Sequence, residues 1–497
     1  MLRYKKTILY ITVIGLLLLL FFLTGTKTYS VTLHSMAAAT EMTQTVILPV
    51  WSNAISTSSL TIPENDTYTF SGWYYDQDYT LPADSVMKPE NDMDLYAGWF
   101  QDNSATDYQL PELYVTADLP ISELSRSQYD SCSFTLTNTT VNNCLDNTTG
   151  QIKGRGNSTW TEFDKKSYKI KFDEQQDLFQ MGAAKTWILL SNSVDYTLMR
   201  NEISLALGEI FDLAYTSSCQ WIHLFYNDEY RGLYLLCEQI ETGINRVNIE
   251  TPYDYQDLDP GFLLELGGGV GGFSLPEVTG ADENWAEYFS CEVLYPEPEQ
   301  IVKHQEEYID AYMQLVNTAI LTKDWELILE LVDIDSFVSW FLVNEIMLNG
   351  DMGWSMFAYK PQGEKLHLGP LWDFDQSCGV SGTGGSNYET WYPDTSSQNT
   401  WFRSLFEIEE FRTLAARQLT AALPEIELLL TQEQEKSVLY RDDIQANFER
   451  WDVLGTTAWR IREEIGTFKT YEENVDFLFT WLHNRIRWMN QELERFL

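Results

Sequence analysis

Apolar and polar residues alternate with a period of two in some stretches of this chain and with a helical period in others. In Ser167–Phe172, the residues Tyr168, Ile170 and Phe172 fall on one face and Lys169 and Lys171 on the other, which predicts a strand. Gln220–Tyr226 and Arg231–Glu238 read as two further strands joined at Asn227–Asp228–Glu229. Glu238 shares its face with Tyr234 and Leu236, and a carboxylate buried there without a partner costs several kcal/mol. Lys166, Arg200 or a nucleotide would satisfy it. Met199, Ile203, Leu207 and Ile210 form a helical stripe within a helix expected from about Tyr196 to Phe211, with Asp195 as its N-cap. Asp335–Leu348 reads as an apolar helix that stops at Gly350, and Met356–Tyr359 and Lys365–Leu368 as a hairpin split by Pro361–Glu364. Helices are also expected at about Glu407–Leu423, Thr431–Trp451 and Glu472–Phe496. The last carries Phe477, Trp481, Ile486 and Trp488 as core residues.

The order of these elements carries chemistry. A helix leads to Asn349–Gly350–Asp351, the hairpin follows, and Leu371–Trp372–Asp373–Phe374–Asp375 comes after it. Protein kinases present two carboxylates in this order: one takes the proton of the attacking hydroxyl, the other holds the magnesium that bridges the nucleotide phosphates. Upstream, Gly154–Arg155–Gly156–Asn157–Ser158–Thr159–Trp160 is a turn-rich loop with two glycines, followed by the lysine-bearing strand, a helix and a hairpin. That is the element order of a kinase N-lobe. The structural alternative is that loop Asp residues cap helices or make turns and that strand lysines are solvated.

The blocks Gly154–Trp160, Lys165–Phe172, Trp187–Leu190, Leu198–Asn201, Tyr230–Tyr234 with Glu238, Gly261–Glu265, Tyr295–Glu297, Asn344–Glu345 with Asp351, and Trp372–Asp375 with Gly379 resemble the spore-coat protein H (CotH) kinases over about residues 111–497. The resemblance implies an α+β, bilobal, atypical protein-kinase-like fold, with an N-lobe at about 111–245 and a C-lobe at about 246–497. It implies ATP and Mg²⁺ or Mn²⁺ as cofactors and serines or threonines of a partner protein as substrate. It assigns Asp351 as the catalytic carboxylate and Asp373 as metal ligand, with Asp375 assisting. Lys166 or Lys169 would pair with phosphate; Arg155, Asn157, Ser158 and Glu238 are further candidate nucleotide contacts. Two features depart from kinase patterns. No Asn follows Asp351 in Met352–Phe357, where kinases place a metal-binding Asn, so Ser355 or Asp375 would substitute, or activity is lost. A regular G-x-G-x-x-G phosphate loop is also missing.

Composition narrows the setting. The 497 residues are 44% hydrophobic, enough for two or three domains, and the formal net charge of −42 disfavours nucleic acid as a partner. It favours divalent cations and basic substrate segments. Five histidines without H-E-x-x-H argue against a zinc hydrolase. Arg3, Lys5 and Lys6 precede the apolar run Ile8–Leu23, which predicts a signal peptide or N-terminal membrane anchor over 1–30 with the remainder outside. Residues 31–60, rich in Ser, Thr and Ala, read as a spacer. Residues 61–105, with Tyr68–Asp76 and Met93–Trp99, resemble one internalin-type B-repeat, a small β module packed on Trp73 and Trp99 that would space or engage wall components. Among six cysteines, Cys132/Cys144 and Cys219/Cys237 are the candidate pairs. The expectation is an exported, metal-dependent atypical serine/threonine kinase; the alternative is a non-catalytic kinase-fold surface protein acting as adhesin or scaffold.

Overall fold

A computed structural model describes residues 26–35, 40–49, 55–56, 60–61, 68–75, 83, 86–87, 91–101, 110–139, 145–249, 253–268, 272–275, 289–353, 355–381, 387–395 and 400–497. The apolar run Ile8–Leu23 lies outside them. No helix among the described residues is long and apolar enough to cross a membrane. The chain divides into two units, Met1–Gln109 and Leu110–Leu497.

The described part of the first unit is a β structure. Strands β1 (Thr26–Ser35), β2 (Thr40–Pro49), β4 (Tyr68–Tyr74) and β6 (Met93–Gln101) form one sheet in the order β2-β1-β6-β4, while β3 (Ile55–Ser56) pairs with β5 (Val86–Met87). Strand β1 runs parallel to β6, setting Leu33 beside Leu95. Val31, Leu33, Trp73, Leu95 and Ala97 point into one core. On the other face His34 stacks on Tyr96 at 4.7 Å and bonds Asp94 at 2.9 Å. This corrects the spacer expected at 31–60, because β1 and β2 occupy much of it and β1 already begins inside 1–30. The Ser/Thr-rich composition concealed a period-two pattern in which Val31 and Leu33 alternate with outward Thr32 and His34. Trp73 is buried as expected; the side chain of Trp99 lies outside the described set.

In the second unit, β7 (Glu112–Ala117), β8 (Asp130–Thr137), β9 (Leu145–Arg155), β10 (Ser167–Gln176), β11 (Ala184–Leu190), β12 (Cys219–Tyr226) and β13 (Glu229–Glu238) close into a barrel. Closure joins β9 to β10 and sets β12 parallel to β7. Phe134, Ile152, Tyr168, Ile170, Phe172, Trp187 and Leu224 fill its interior. The predicted alternation in β10 therefore holds, with Tyr168, Ile170 and Phe172 buried. Short helix α1 (Ser158–Glu162) follows the glycine loop, and α2 (Arg200–Ile210) follows β11.

A five-stranded sheet comes next, in the order β15-β16-β14-β17-β18, from β14 (Phe262–Gly268), β15 (Phe273–Ser274), β16 (Phe289–Tyr295), β17 (Met356–Lys360) and β18 (His367–Leu368). The β17–β18 hairpin links the two acidic loops as predicted, with Ala358 opposite Leu368. The remaining helices are α3 (Lys303–Thr322), α4 (Trp325–Leu331), α5 (Ile334–Met347), α6 (Tyr392–Thr395), α7 (Thr400–Phe406), α8 (Glu409–Leu439), α9 (Arg441–Arg450) and α10 (Tyr471–Leu493). Helix α5 has apolar residues on every face and is buried from Ser336 to Met347. One core unites Phe337 and Phe341 of α5, Ile203 and Leu207 of α2, Leu419 of α8 and Leu478 of α10 with Leu235 and Cys237 from the outer barrel face.

Three expected boundaries shift. Helix α2 begins at Arg200, because the Asp195 carboxylate is spent on a turn before it, accepting the N–H groups of Thr197 at 2.9 Å and Arg200 at 2.8 Å. Helix α8 runs without a break through Pro424. Its buried stripe of Phe411, Ala415, Leu419, Ile426 and Leu430 continues past the proline, so packing outweighs the lost backbone bond. The break falls instead at Tyr440. Cys219 and Cys237 face each other across β12 and β13 as free thiols; Cys144 lies outside the described residues.

Candidate active site

The glycine loop shows why its residues are small. A Cβ on Gly154 would lie 2.2 Å from the Trp160 ring, and Gly156 has φ +106°, where other residues are strained. The loop folds back on Trp160 and leaves Arg155 at the end of β9 with its guanidinium 4.5 Å above the Trp372 ring. Asn157 is exposed; its Oδ1 accepts from Arg126 at 3.0 Å, and Ser158 opens α1.

The acidic loops are fixed by amides. At the end of α5, Asn344 donates to the carbonyl of Trp340 at 2.9 Å, Asn349 donates to Asn344 at 3.2 Å, and Asn349 Oδ1 accepts the Asp351 N–H at 3.1 Å. Beside them, the Glu345 carboxylate meets Arg485 at 2.6 Å, both fully buried. Arg485 also donates to the carbonyls of Glu345, Tyr388 and Thr390, satisfying its charge. The second loop hangs on α2. Asn201 Oδ1 accepts the Phe374 N–H at 2.9 Å, and Arg200 Nε donates to the Ser377 carbonyl at 3.0 Å while pairing with Asp195. The Leu198–Asn201 block thus positions the acidic loop.

These elements meet at a cleft of about 860 Å³. Asp351, Asp373 and Asp375 line it together with Arg155, Asn157, Ser158 and Lys169. Asp373 has φ +68° and accepts from Ser355 Oγ at 3.2 Å. Burial, then the charge of Asp373, raises the Asp351 carboxyl to about 6, against the opposing charge of Arg460 at 3.6 Å. Burial raises Asp373 as well, with Arg155 working the other way. Asp375 is pushed furthest, by burial and then by Asp373, Asp195 and Asp351. Burial lowers Lys169 to about 8, helped by Lys153 and opposed by Glu241. Carboxylates crowded in this way are stabilised by any cation that joins them.

Two expected contacts lie elsewhere. Lys166 sits outside the cleft lining: its Nζ donates to the Trp160 carbonyl at 2.5 Å and it lines a separate pocket with Tyr168 and Arg231. Lys169, within β10, takes the cleft. Glu238 is also absent from the cleft lining. It pairs with buried Arg246 and accepts from Tyr215 at 3.1 Å and from the Ser218 N–H at 2.8 Å. Neither Lys166 nor Arg200 is its partner, because the chain turns back after β13 and brings Arg246 to it. Sequence reasoning missed Glu241, Glu265, Gln376, Trp459 and Arg460, which also line the cleft. Gln376 adjoins Asp375 and was within reach of inspection; Arg460 carries no local signal, being brought in by tertiary structure alone.

The metal expectation meets a constraint. Among the described residues, no group of three or more His, Cys, Asp or Glu side chains gathers closely enough to hold a metal ion by itself. Magnesium, however, is usually held by one or two carboxylates plus waters and substrate phosphates, and the crowded carboxylates of this cleft fit that pattern.

A family model described as CotH kinase protein matches residues 152–489, more than half of the chain. The chain belongs to the CotH kinase protein family. No curated protein matches it. Membership supports kinase-type activity in general, with ATP and a divalent metal as the general requirements of such chemistry. The matched span runs from Ile152, in β9 of the barrel, into α10, and so contains every cleft residue named above.

Proposed function

We propose that this CotH kinase protein transfers the terminal phosphoryl group of ATP to a serine or threonine hydroxyl of another protein, in a bilobal kinase-like arrangement with the barrel as N-lobe. The observation that carries this reading is the sharing of one cleft by Asp351, Asp373 and Asp375 with Arg155 and Lys169. Asp351 orients the substrate hydroxyl and accepts its proton; a carboxyl raised to about 6 is ionised at neutral pH and still basic enough for the task. Arg155 and Lys169 neutralise phosphate charge. Ser355 and the left-handed backbone at Asp373 fix the Asp373 carboxylate, which with Asp375 holds Mg²⁺ or Mn²⁺. When bound, the metal supplies charge stabilisation to the phosphoryl oxygens. Arg155 is in turn held by the Trp372 ring.

The substrate is proposed to be a surface or coat protein met outside the cytoplasm, on the strength of Ile8–Leu23 and its preceding basic residues. An acidic enzyme favours basic serine-containing segments. A non-catalytic scaffold is the second reading, favoured by the lack of Asn after Asp351. Incubating the purified chain with γ-labelled ATP, Mn²⁺ or Mg²⁺, and basic or acidic serine peptides separates the two. Label in peptide or in the chain itself is expected; none under any metal, with ATP binding also missing, supports the scaffold.

A further inference from the structure

Gln376 is buried, at 8% exposure, and lines the cleft beside Asp375. Its amide orientation is set by chemistry. Nε2 donates to Asp351 Oδ2 at 2.9 Å, and a carboxylate can only accept, so Oε1 must face away from Asp351. That oxygen is buried and meets no hydrogen-bond donor among the described residues. Leaving an amide oxygen in that condition is unfavourable, and strain, a catalytic role, a water or an ion accounts for such groups in native structures. An amide oxygen only accepts, so the group that complements Oε1 is a donor or a cation. Among the described residues the acidic side chains alone fall short of a three-ligand set, and Met352–Phe357 offers no Asn to complete one.

We infer that Gln376 Oε1 is a neutral oxygen ligand of the divalent cation in this cleft, in the role that kinases give to an Asn. The inference rests on the proposed phosphoryl-transfer reading and adds a specific residue to it. Because Nε2 is tied to Asp351, the same amide couples the metal to the proton-accepting carboxylate. Filling the site would fix the Gln376 side chain and so the Asp351 carboxylate it holds. A neutral amide also adds a donor without adding to the repulsion among Asp351, Asp373 and Asp375, which another carboxylate would increase.

The test is Mn²⁺ titration of the full chain with and without a non-hydrolysable ATP analogue, read by the electron paramagnetic resonance of free Mn²⁺. Gln376→Ala is expected to weaken Mn²⁺ binding by tenfold or more. Gln376→Glu keeps an oxygen donor and loses the N–H to Asp351, so it is expected to bind Mn²⁺ at least as tightly as the wild type. Equal Mn²⁺ affinity in the wild type and Gln376→Ala would overturn the inference and leave the phosphoryl-transfer reading standing. Equal losses in the Ala and Glu variants would overturn it too, because the N–H would then be the important atom. A wild type that binds neither Mn²⁺ nor Mn²⁺ with the analogue would sink both. Should the Ala variant fail to fold, the Glu variant alone decides, since a weakened site there contradicts the inference.

Discussion

Glu345 and Asp375 are both buried carboxylates close to the acidic loops, and their surroundings differ in kind. Glu345 meets Arg485 at 2.6 Å and accepts the Tyr392 N–H at 3.1 Å. Asp375 faces Asp373, Asp195 and Asp351, with Arg200 as its countercharge and that guanidinium already engaged by Asp195. The same contrast separates Glu238 with Arg246 from Asp351, whose nearest cation stands at 3.6 Å. Glu345 and Glu238 are each closed by a buried arginine, whereas the carboxylates of the cleft are left crowded against one another. Such unrelieved crowding is costly unless a ligand resolves it, which is why it marks a functional site better than burial does.

The comparison breaks first at the closed pair. Arg485→Met removes the countercharge of buried Glu345 and one donor from each of three carbonyls, and should destabilise the chain by roughly 3–5 kcal/mol. Chemical denaturation measures this; a loss under about 1 kcal/mol would mean that the pair is not a scaffold element. Replacing an open carboxylate should do the opposite. Asp375→Asn relieves repulsion and should leave the apo chain as stable as the wild type or more so, while reducing its response to metal.

A smaller effect separates the two lysines of the barrel. Lys169→Met should raise the KM for ATP about tenfold, equivalent to about 1.4 kcal/mol, because Lys169 lines the cleft. Lys166→Met should leave KM unchanged, because that side chain ends on the Trp160 carbonyl. Initial rates over an ATP series check both, and equal effects would contradict the assignment of Lys169.

The smallest effect is a pH dependence. Asp351 is raised from 3.8 to about 6 in the fold, so between those values the folded chain binds a proton more readily than the unfolded one. Its contribution to stability is full below about 4 and is lost as pH rises through about 6. Asp351→Asn removes this contribution, so the variant should gain on the wild type with rising pH by an amount on the order of 1 kcal/mol. Thermal melts at pH 4 to 7 test the sign. A variant that loses ground over that range would show that Arg460 outweighs burial.

Part of this arrangement is legible in the sequence. The period-two pattern of Tyr168, Ile170 and Phe172 and the largely apolar α5 have the burial that their patterns imply, and the hairpin between Asp351 and Asp373 followed from turn residues. Barrel closure was not legible, because the parallel pairing of β7 with β12 sets Glu112 beside His223, far away in the chain. Lys166 and Lys169 were alternatives in the sequence; only Lys169 lies within β10 and lines the cleft. Glu238 was correctly read as needing a partner, but Arg246 arrives through a turn that no periodicity describes. Arg460 enters the cleft from a segment with left-handed backbone at φ +59° and no repeating pattern.

The division of labour between Asp351 and Asp373 is the central claim, and one paired measurement tests it most directly. Thermal-shift titration with ATP and Mn²⁺ is run beside phosphate transfer on the wild type, Asp351→Asn and Asp373→Asn. The account predicts that Asp373→Asn folds but loses the nucleotide-dependent shift and all transfer, since its carboxylate acts only on the bound metal–phosphate complex. Asp351→Asn should keep the shift and lose transfer, since its role begins when a hydroxyl attacks. Identical behaviour of the two variants, or a wild type that responds to neither ATP nor Mn²⁺, would contradict it.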